Sequence, residues 1–408
     1  MTRRAVLQAA AVLALSWAAI FLVWPWADTA ITDLPYRNGQ AEQMLAGALP
    51  YRDMLFEYPP LAAPLTLLPA LVGGHLDPEY ELGLGLLMLV VMAVVVWQCG
   101  RLAERTRGSP RTAMLAAAAS PLLLGAIVRM QFDLVPTAML IGALMLLVRG
   151  STGAGAAWLG AGVMTKAFPL VAAPPALGWL LGAGRRSDAV RGAVAFAAVV
   201  AVITVAGIAL SATGVSVAAR YQLERPVQVE STQATVVRAL SKVERIQPEV
   251  GGSHGSVAVA APSTAPVGLV FLVLQLASFA AFTWLAVRAG HRAAADPAES
   301  GAAMCLAAFG CVVAFVAFGR VISPQYLVWI VPLVALAASW REWAVCATGA
   351  FALLLTLVEF PRMYPGVVDG DRLALIVVGL RNLALVALVA MCLAALRRRE
   401  RRPAAEFG

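Results

Sequence analysis

Residues 33–61, DLPYRNGQAEQMLAGALPYRDMLFEYPPL, hold more reactive side chains than a connector between membrane helices requires. They carry the carboxylates Asp33, Glu42, Asp53 and Glu57, the phenols Tyr36, Tyr51 and Tyr58, and a stiff Tyr58-Pro59-Pro60 exit. Ordered carboxylates at a membrane surface are costly to keep without a use. In a partly desolvated cleft, a carboxylate suits the deprotonation of a hydroxyl within hydrogen-bond reach. Asp33 is the first candidate for that base. Its alternative is to cap the helix that apolar spacing predicts over 35–47, with Gly47 as the stop. Asp53 and Glu57 are further candidates, and the prolines after Tyr58 give Glu57 a defined direction.

Facing these acids are cations in expensive places. Lys166 lies in GAGVMTKAFPLVAAPP, amid an apolar stretch, with Gly160 and Gly162 before it and Pro169 after it. A cation at membrane depth faces a cavity, pairs with an anion or snorkels. The flanking breakers predict a broken helix whose freed backbone groups line that cavity. Arg320 precedes VISPQYLVW, where Ser323-Pro324 marks a turn and Gln325-Tyr326 opens the next run. It either binds a lipid phosphate bidentately or anchors at headgroup level. Arg381, beside Asn382 in the last apolar run, is an intramembrane arginine and so a candidate by position. Arg225, in LERPVQVEST, is a loop candidate. Asp133, in RMQFDLVP, either contacts a substrate or pairs with Arg129 one helical turn earlier. Cations near the outer surface suit an anionic headgroup that arrives by lateral diffusion.

The elements that must hold these residues are membrane helices. The chain is 61% hydrophobic and 13% charged, with a mean hydropathy of +0.80. Soluble domains carry about 25% charged residues. Apolar runs fall at roughly 5–24, 79–100, 112–128, 133–148, 154–166, 168–182, 190–212, 265–287, 301–318, 326–340, 343–360 and 372–396. Several are shorter than the ~20 residues that span a bilayer, so broken, paired or re-entrant segments are expected. The 61–73 run, with two prolines, is expected to be half-inserted. The expectation is an all-α integral membrane protein of about 10–13 transmembrane or re-entrant helices, one domain over 1–408.

The net charge of +8 follows the membrane, not nucleic acid. One set of alternate connectors, with both termini, holds 18 basic and 7 acidic residues; the remainder holds 13 and 16. This is the positive-inside pattern. It predicts cytoplasmic termini, external loops at 25–78 and 213–264, and a basic cytoplasmic tail at 397–408. The end of the second loop, GGSHGSVAVAAPSTAP, reads as mobile. The first run, followed by Trp24-Pro25-Trp26, reads as an uncleaved helix. Cys99, Cys305, Cys311, Cys346 and Cys392 sit in or at the ends of apolar runs without metal-ligand spacing. The three scattered histidines provide neither a zinc site nor a triad, and no phosphate-binding loop or HExxH motif is present.

Several blocks together resemble a known family. DLPYRNGQAEQMLAGALPYRDMLFEYPPLAAPL, FDLVPTAMLIGAL, AWLGAGVMTKAFPLVAAPP, RPVQVES, RVISPQYLVWIVPL and GLRNLALV are similar to GT-C-type integral membrane glycosyltransferases. The closest likeness is to the bacterial family 87 group that includes polyprenyl-phosphate-mannose-dependent α-1,2-mannosyltransferases. The resemblance implies a GT-C-type bundle in the bacterial plasma membrane and an inverting single displacement on the outer face. The donor would be a polyprenyl-phosphate sugar, with mannose the expected hexose, and the acceptor a lipid-linked or envelope glycan. Asp33 occupies the position of that family's loop base. Lys166, Arg320 and Arg381 suit the donor phosphate by depth and charge, and Tyr36, Asp53, Glu57, Tyr58, Asp133, Arg225 and Gln325 complete the expected binding set. Characterised mannosyltransferases of the group are histidine-rich near SPQY, where this chain has Gln325-Tyr326. The sugar phosphate is already a good leaving group, so no acid has to protonate it and no cofactor or metal is expected. A transporter or flippase would share the helices and cations but should show repeated halves, which are not evident. A non-catalytic envelope-assembly scaffold would leave Asp33 replaceable.

Overall fold

Once an apolar run leaves water its backbone must be satisfied internally, and the helix does this locally. The computed structural model describes residues 1–401 and is helical nearly throughout, with a single two-stranded sheet among those residues. α1 (Arg3–Leu22) leads to the first loop, which contains α2 (Leu34–Leu45). α3 (Ala62–Val72) and α4 (Asp77–Arg105) form a tight hairpin. There the Tyr80 hydroxyl donates to the Thr66 carbonyl at 2.9 Å. A Cβ on Gly73 would stand 2.2 Å from the Glu79 carbonyl, so the two helices meet backbone to backbone. α3 is about 16 Å long at 1.5 Å per residue, too short to cross.

α5 (Pro110–Ala119) and α6 (Pro121–Leu124) are one rise broken at Ser120-Pro121, and α7 (Ile127–Met130) is a single turn before α8 (Leu134–Val148). α9 (Thr152–Val163), a 3₁₀ turn at Phe168–Ala172 and α10 (Ala173–Gly182) then double back as a hairpin with Lys166 near its tip. Arg185 Nη2 donates to Thr152 Oγ1 at 3.2 Å, so the hairpin leaves beside its point of entry. This is the broken helix expected from the glycines and prolines around Lys166.

α11 (Arg186–Leu223) leaves helical geometry at Ser211. Just beyond, Gly214 presses on the first loop: a Cβ there would lie 1.9 Å from the Tyr51 carbonyl. Gln222 Nε2 also donates to the Glu57 carbonyl at 3.0 Å. α12 (Thr232–Glu244) and strands β1 (Glu249–Ser253) and β2 (Ser256–Ala260) follow. The segment expected to be mobile is therefore a β-hairpin. His254 and Gly255 both take positive φ (50° and 66°), the two-residue turn that matches strand twist. Backbone bonds Val229 N–H to Val257 O (3.0 Å) and Val259 N–H to Val227 O (2.8 Å) pin the hairpin to the loop. Alternating valines that pair with neighbouring backbone outweigh the Gly/Ser composition.

α13 (Thr264–Gly290), α14 (Pro297–Phe318), a 3₁₀ turn at Pro324–Ile330 running into α15 (Val331–Ser339), α16 (Trp343–Glu359), α17 (Tyr364–Asp369) and α18 (Arg372–Arg401) complete the bundle. Among the described residues six helices are long and apolar enough to cross a membrane: α1, α4, α11, α13, α14 and α18. α14 is central, with 94% of its apolar window buried, whereas α11, at 6%, is left to lipid. One face collects the basic connectors. On it the Met1 amine pairs with Glu104 (2.6 Å), Arg107 with Asp296 (2.6 Å), and Arg399 with Glu299 (2.7 Å) and Glu342 (3.2 Å). The basic tail is thus helical through Arg401 and docked by Arg399; residues 402–408 lie outside the described residues. The opposite face carries the loops rich in acids and tyrosines.

Candidate active site

The first loop is built on α2. Asp33 precedes that helix, yet its carboxylate makes no capping hydrogen bond. The Leu34 N–H goes to Thr32 Oγ1 at 3.1 Å instead. Asp33 is exposed, and its side chain accepts one hydrogen bond, from Gln131 Nε2 at 3.4 Å. One turn along α2, Arg37 is 2% exposed and donates through Nη2 to the Tyr58 hydroxyl (2.9 Å) and Gln131 Oε1 (2.7 Å). Its guanidinium lies 5.0 Å from both the Tyr58 and Phe132 ring centroids, while Nε and Nη1 have no protein partner. Burial opposes that charge, but Tyr58, Asp33 and Glu57 outweigh it and hold the guanidinium above its ordinary pKa.

The neighbouring phenols are held protonated. Tyr36 is pushed up to about 12, first by burial and then by Glu57, whose carboxylate accepts from its hydroxyl at 3.3 Å. Burial raises Tyr58 as well, against the opposing effect of Arg37. Gln40 Nε2 joins this group, donating to Tyr36 Oη (3.1 Å) and Glu57 Oε2 (3.3 Å). Asp53 is held elsewhere. It accepts from the Leu49 N–H at 2.8 Å and pairs with exposed Arg52 at 3.0 Å, and those bonds, the Arg52 one first, lower its pKa.

Below Tyr58 lies a buried ion pair. Lys166 Nζ donates to both oxygens of Asp133 at 2.8 Å, and Trp329 Nε1 donates to Asp133 Oδ1 at 2.6 Å. Lys166 Nζ is 5.5 Å from the Tyr58, Tyr326 and Trp329 ring centroids and 5.6 Å from that of Phe132. Trp329 is itself stacked between Phe168 and Tyr326, each at 4.1 Å. The local Asp133–Arg129 pair does not form; Arg129 pairs with Glu81. Of the options open to Lys166, the anion partner is the one realised. Lys166→Met leaves the fully buried Asp133 without its counter-charge and is expected to cost about 3–5 kcal/mol. Adding Asp133→Asn should restore much of that in thermal unfolding; losses that merely add would show the pair to be uncoupled.

Gln325, 9% exposed, accepts from Ser323 Oγ and continues into Tyr326. Arg225 is half-buried, its Nε lacks a protein partner, and its charge reaches the Tyr326 phenol. Arg320 is exposed at the rim and donates to the Leu223 and Arg225 carbonyls at 3.4 Å. Arg381 belongs to another cluster, with Glu230 and Glu359. The fold therefore joins Asp33, Tyr36, Glu57, Tyr58, Asp133, Lys166, Arg225 and Gln325 around one aromatic centre. Arg320 is left at its edge, and Asp53 and Arg381 are elsewhere. Arg37, Gln131, Phe132 and Trp329 were not singled out by sequence, although Arg37 is one turn from Asp33 and Gln131 two residues from Asp133. Among the described residues no group of three or more His, Cys, Asp or Glu side chains could hold a metal ion.

Residues 56–241 match the model of glycosyltransferase family 87. The match takes in Tyr58, Asp133, Lys166 and Arg225 and begins after Asp33. No curated protein matches the chain. A solved structure of the Archaeoglobus fulgidus oligosaccharyltransferase, tethered by a disulfide to an acceptor peptide containing the NVT sequon, is similar at 12% identity and a TM-score of 0.47. The similarity covers 97% of this chain and 55% of that one, so this chain spans about half its length. What the fold defines is a helical bundle with six helices long and apolar enough to cross a membrane among the described residues, and the likeness to glycosyltransferase family 87 covers fewer than half of the chain's 408 residues.

Proposed function

We propose that this protein is a GT-C-type membrane glycosyltransferase, and that it moves a hexose, mannose in our reading, from a polyprenyl-phosphate donor to a hydroxyl of a lipid-linked or envelope glycan. The acceptor hydroxyl gives its proton to Asp33 as its oxygen attacks the anomeric carbon. The bond to the phosphate oxygen breaks with inversion, and its electron pair leaves on the phosphate. Preorganised charge near that phosphate stabilises the transition state. Arg225, with its unpartnered Nε, and Arg320 at the rim are our candidates for this charge, and Lys166, neutralised by Asp133, braces the aromatic centre from below. Arg381 supports the loop and does not meet the phosphate. The charge asymmetry supports our reading that the loop face is outward and both termini are on the cytoplasmic side of a bacterial membrane.

The observation that carries this reading is the exposed, uncapped carboxylate of Asp33, linked through Gln131 and Arg37 to the aromatic centre that holds Lys166 and Asp133. Purified protein given labelled polyprenyl-phosphate-mannose and a cell-envelope acceptor extract should yield labelled glycan. If polyprenyl-phosphate-glucose supports transfer and the mannosyl donor does not, the sugar assignment is overturned. Transfer from neither overturns the donor class.

A further inference from the structure

The amide of Gln131 has its orientation forced by its neighbours. An arginine can only donate, so Gln131 Oε1 must face Arg37 Nη2, at 2.7 Å, and its NH₂ must face away. On that side lies Asp33 Oδ2, at 3.4 Å. Gln131 is 3% exposed and Arg37 2%, and Arg37 is further fixed by the Tyr58 hydroxyl at 2.9 Å. An amide hydrogen bond to one carboxylate oxygen leaves the other free to face an acceptor. The 3.4 Å contact is longer than the usual N–H···O range, and catalytic hydrogen bonds commonly tighten when substrate binds.

We propose that Gln131, locked by Arg37, is the positioning residue for Asp33: it holds the carboxylate turned toward the acceptor. The inference rests on the reading of Asp33 as the base. Arg37 from α2, Tyr221 from α11, Tyr364 from α17 and Gln131 itself are the polar or titratable groups that act on this carboxylate.

The test is the pH dependence of kcat/KM in Gln131→Glu, with Asp33→Asn beside it. The substituted carboxylate keeps a partner in Arg37 but turns a like charge toward Asp33. The acidic limb of the profile should move up by about one pH unit or more, because a nearby like charge disfavours the charged base. Gln131→Asn keeps the amide but is one methylene too short to bridge Arg37 and Asp33. It should lower kcat about tenfold with KM for the donor unchanged, the pattern of an interaction made in the transition state. An unmoved limb in Gln131→Glu and an unchanged kcat in Gln131→Asn, with Asp33→Asn inactive, would overturn the positioning role and leave the base standing. Full activity in Asp33→Asn would overturn both.

Discussion

Asp33→Asn is expected to reduce sugar transfer by about 10²–10⁴-fold, the range that a positioned general base contributes. The change keeps the size of the side chain and removes its ability to take a proton. Stability should barely move. Asp33 caps nothing and is exposed, and surface substitutions away from such features stay within about 0.5 kcal/mol. Thermal unfolding in detergent and donor KM should therefore match the parent while kcat falls. Glu57 is the neighbouring acid most able to substitute for it, but Tyr36 and Gln40 both donate to its Oε2. Glu57→Gln should accordingly cost far less activity than Asp33→Asn. Transfer at the parental rate in Asp33→Asn would remove this residue from the mechanism.

Arg381→Met is expected to destabilise the protein by about 3–5 kcal/mol, because it strands two buried carboxylates. Arg381 is 0% exposed. Its Nη1 lies 3.1 Å from Glu359 Oε2 and 3.6 Å from Glu230 Oε1, and its Nη2 donates to the Glu230 carbonyl at 2.6 Å. Asn382 Nδ2 adds bonds to that carbonyl (3.0 Å) and to Thr235 Oγ1 (2.9 Å), so α18 grips the second loop at the start of α12. One cation serves two acids. Burial raises the Glu230 carboxyl above its ordinary value of 4.5, although Arg381 pulls it down. A carboxyl raised in the fold contributes stability that is complete below pH 4.5 and lost as pH rises through its folded value. Glu230→Gln should flatten that decline, and Glu359→Gln should recover part of the loss in Arg381→Met. Unfolding temperatures of Arg381→Met and the parent, measured at pH 5 and pH 8, decide it: equal values would show that the arginine does not support the loop.

Parts of the site could be read because their signals are local. Lys166 was conspicuous because a cation amid apolar residues is expensive wherever the chain goes, and Gly162 and Pro169 marked the break around it. Its partner was not legible. Arg129, one turn before Asp133, looked like the natural mate on a continuous helix. The helix is not continuous: α7 ends at Met130 and Gln131 is extended (φ −137°, ψ 146°), which directs Arg129 to Glu81 and frees Asp133 for Lys166. Arg381 was likewise visible as an intramembrane charge and misassigned in its contacts, since Glu230 and Glu359 come from a distant loop and another helix.

Sequence alone determined the membrane class, the positions of the apolar runs, the charge asymmetry between faces and the acid-rich first loop. Hydropathy, helix breakers and charge each act within a few residues, and the bilayer turns them directly into helices and sides. Tertiary structure decided which oppositely charged groups met, that the Gly/Ser-rich segment would pair as strands, and that Asp33 would be left uncapped beside Gln131. Partner choice in a buried network is set by helix packing across the whole bundle, where an unpaired charge costs more than any local preference can offset. The loop that begins at Asp33 thus owes its composition to the sequence, and its geometry to α8, the α9–α10 hairpin and α11 packed around it.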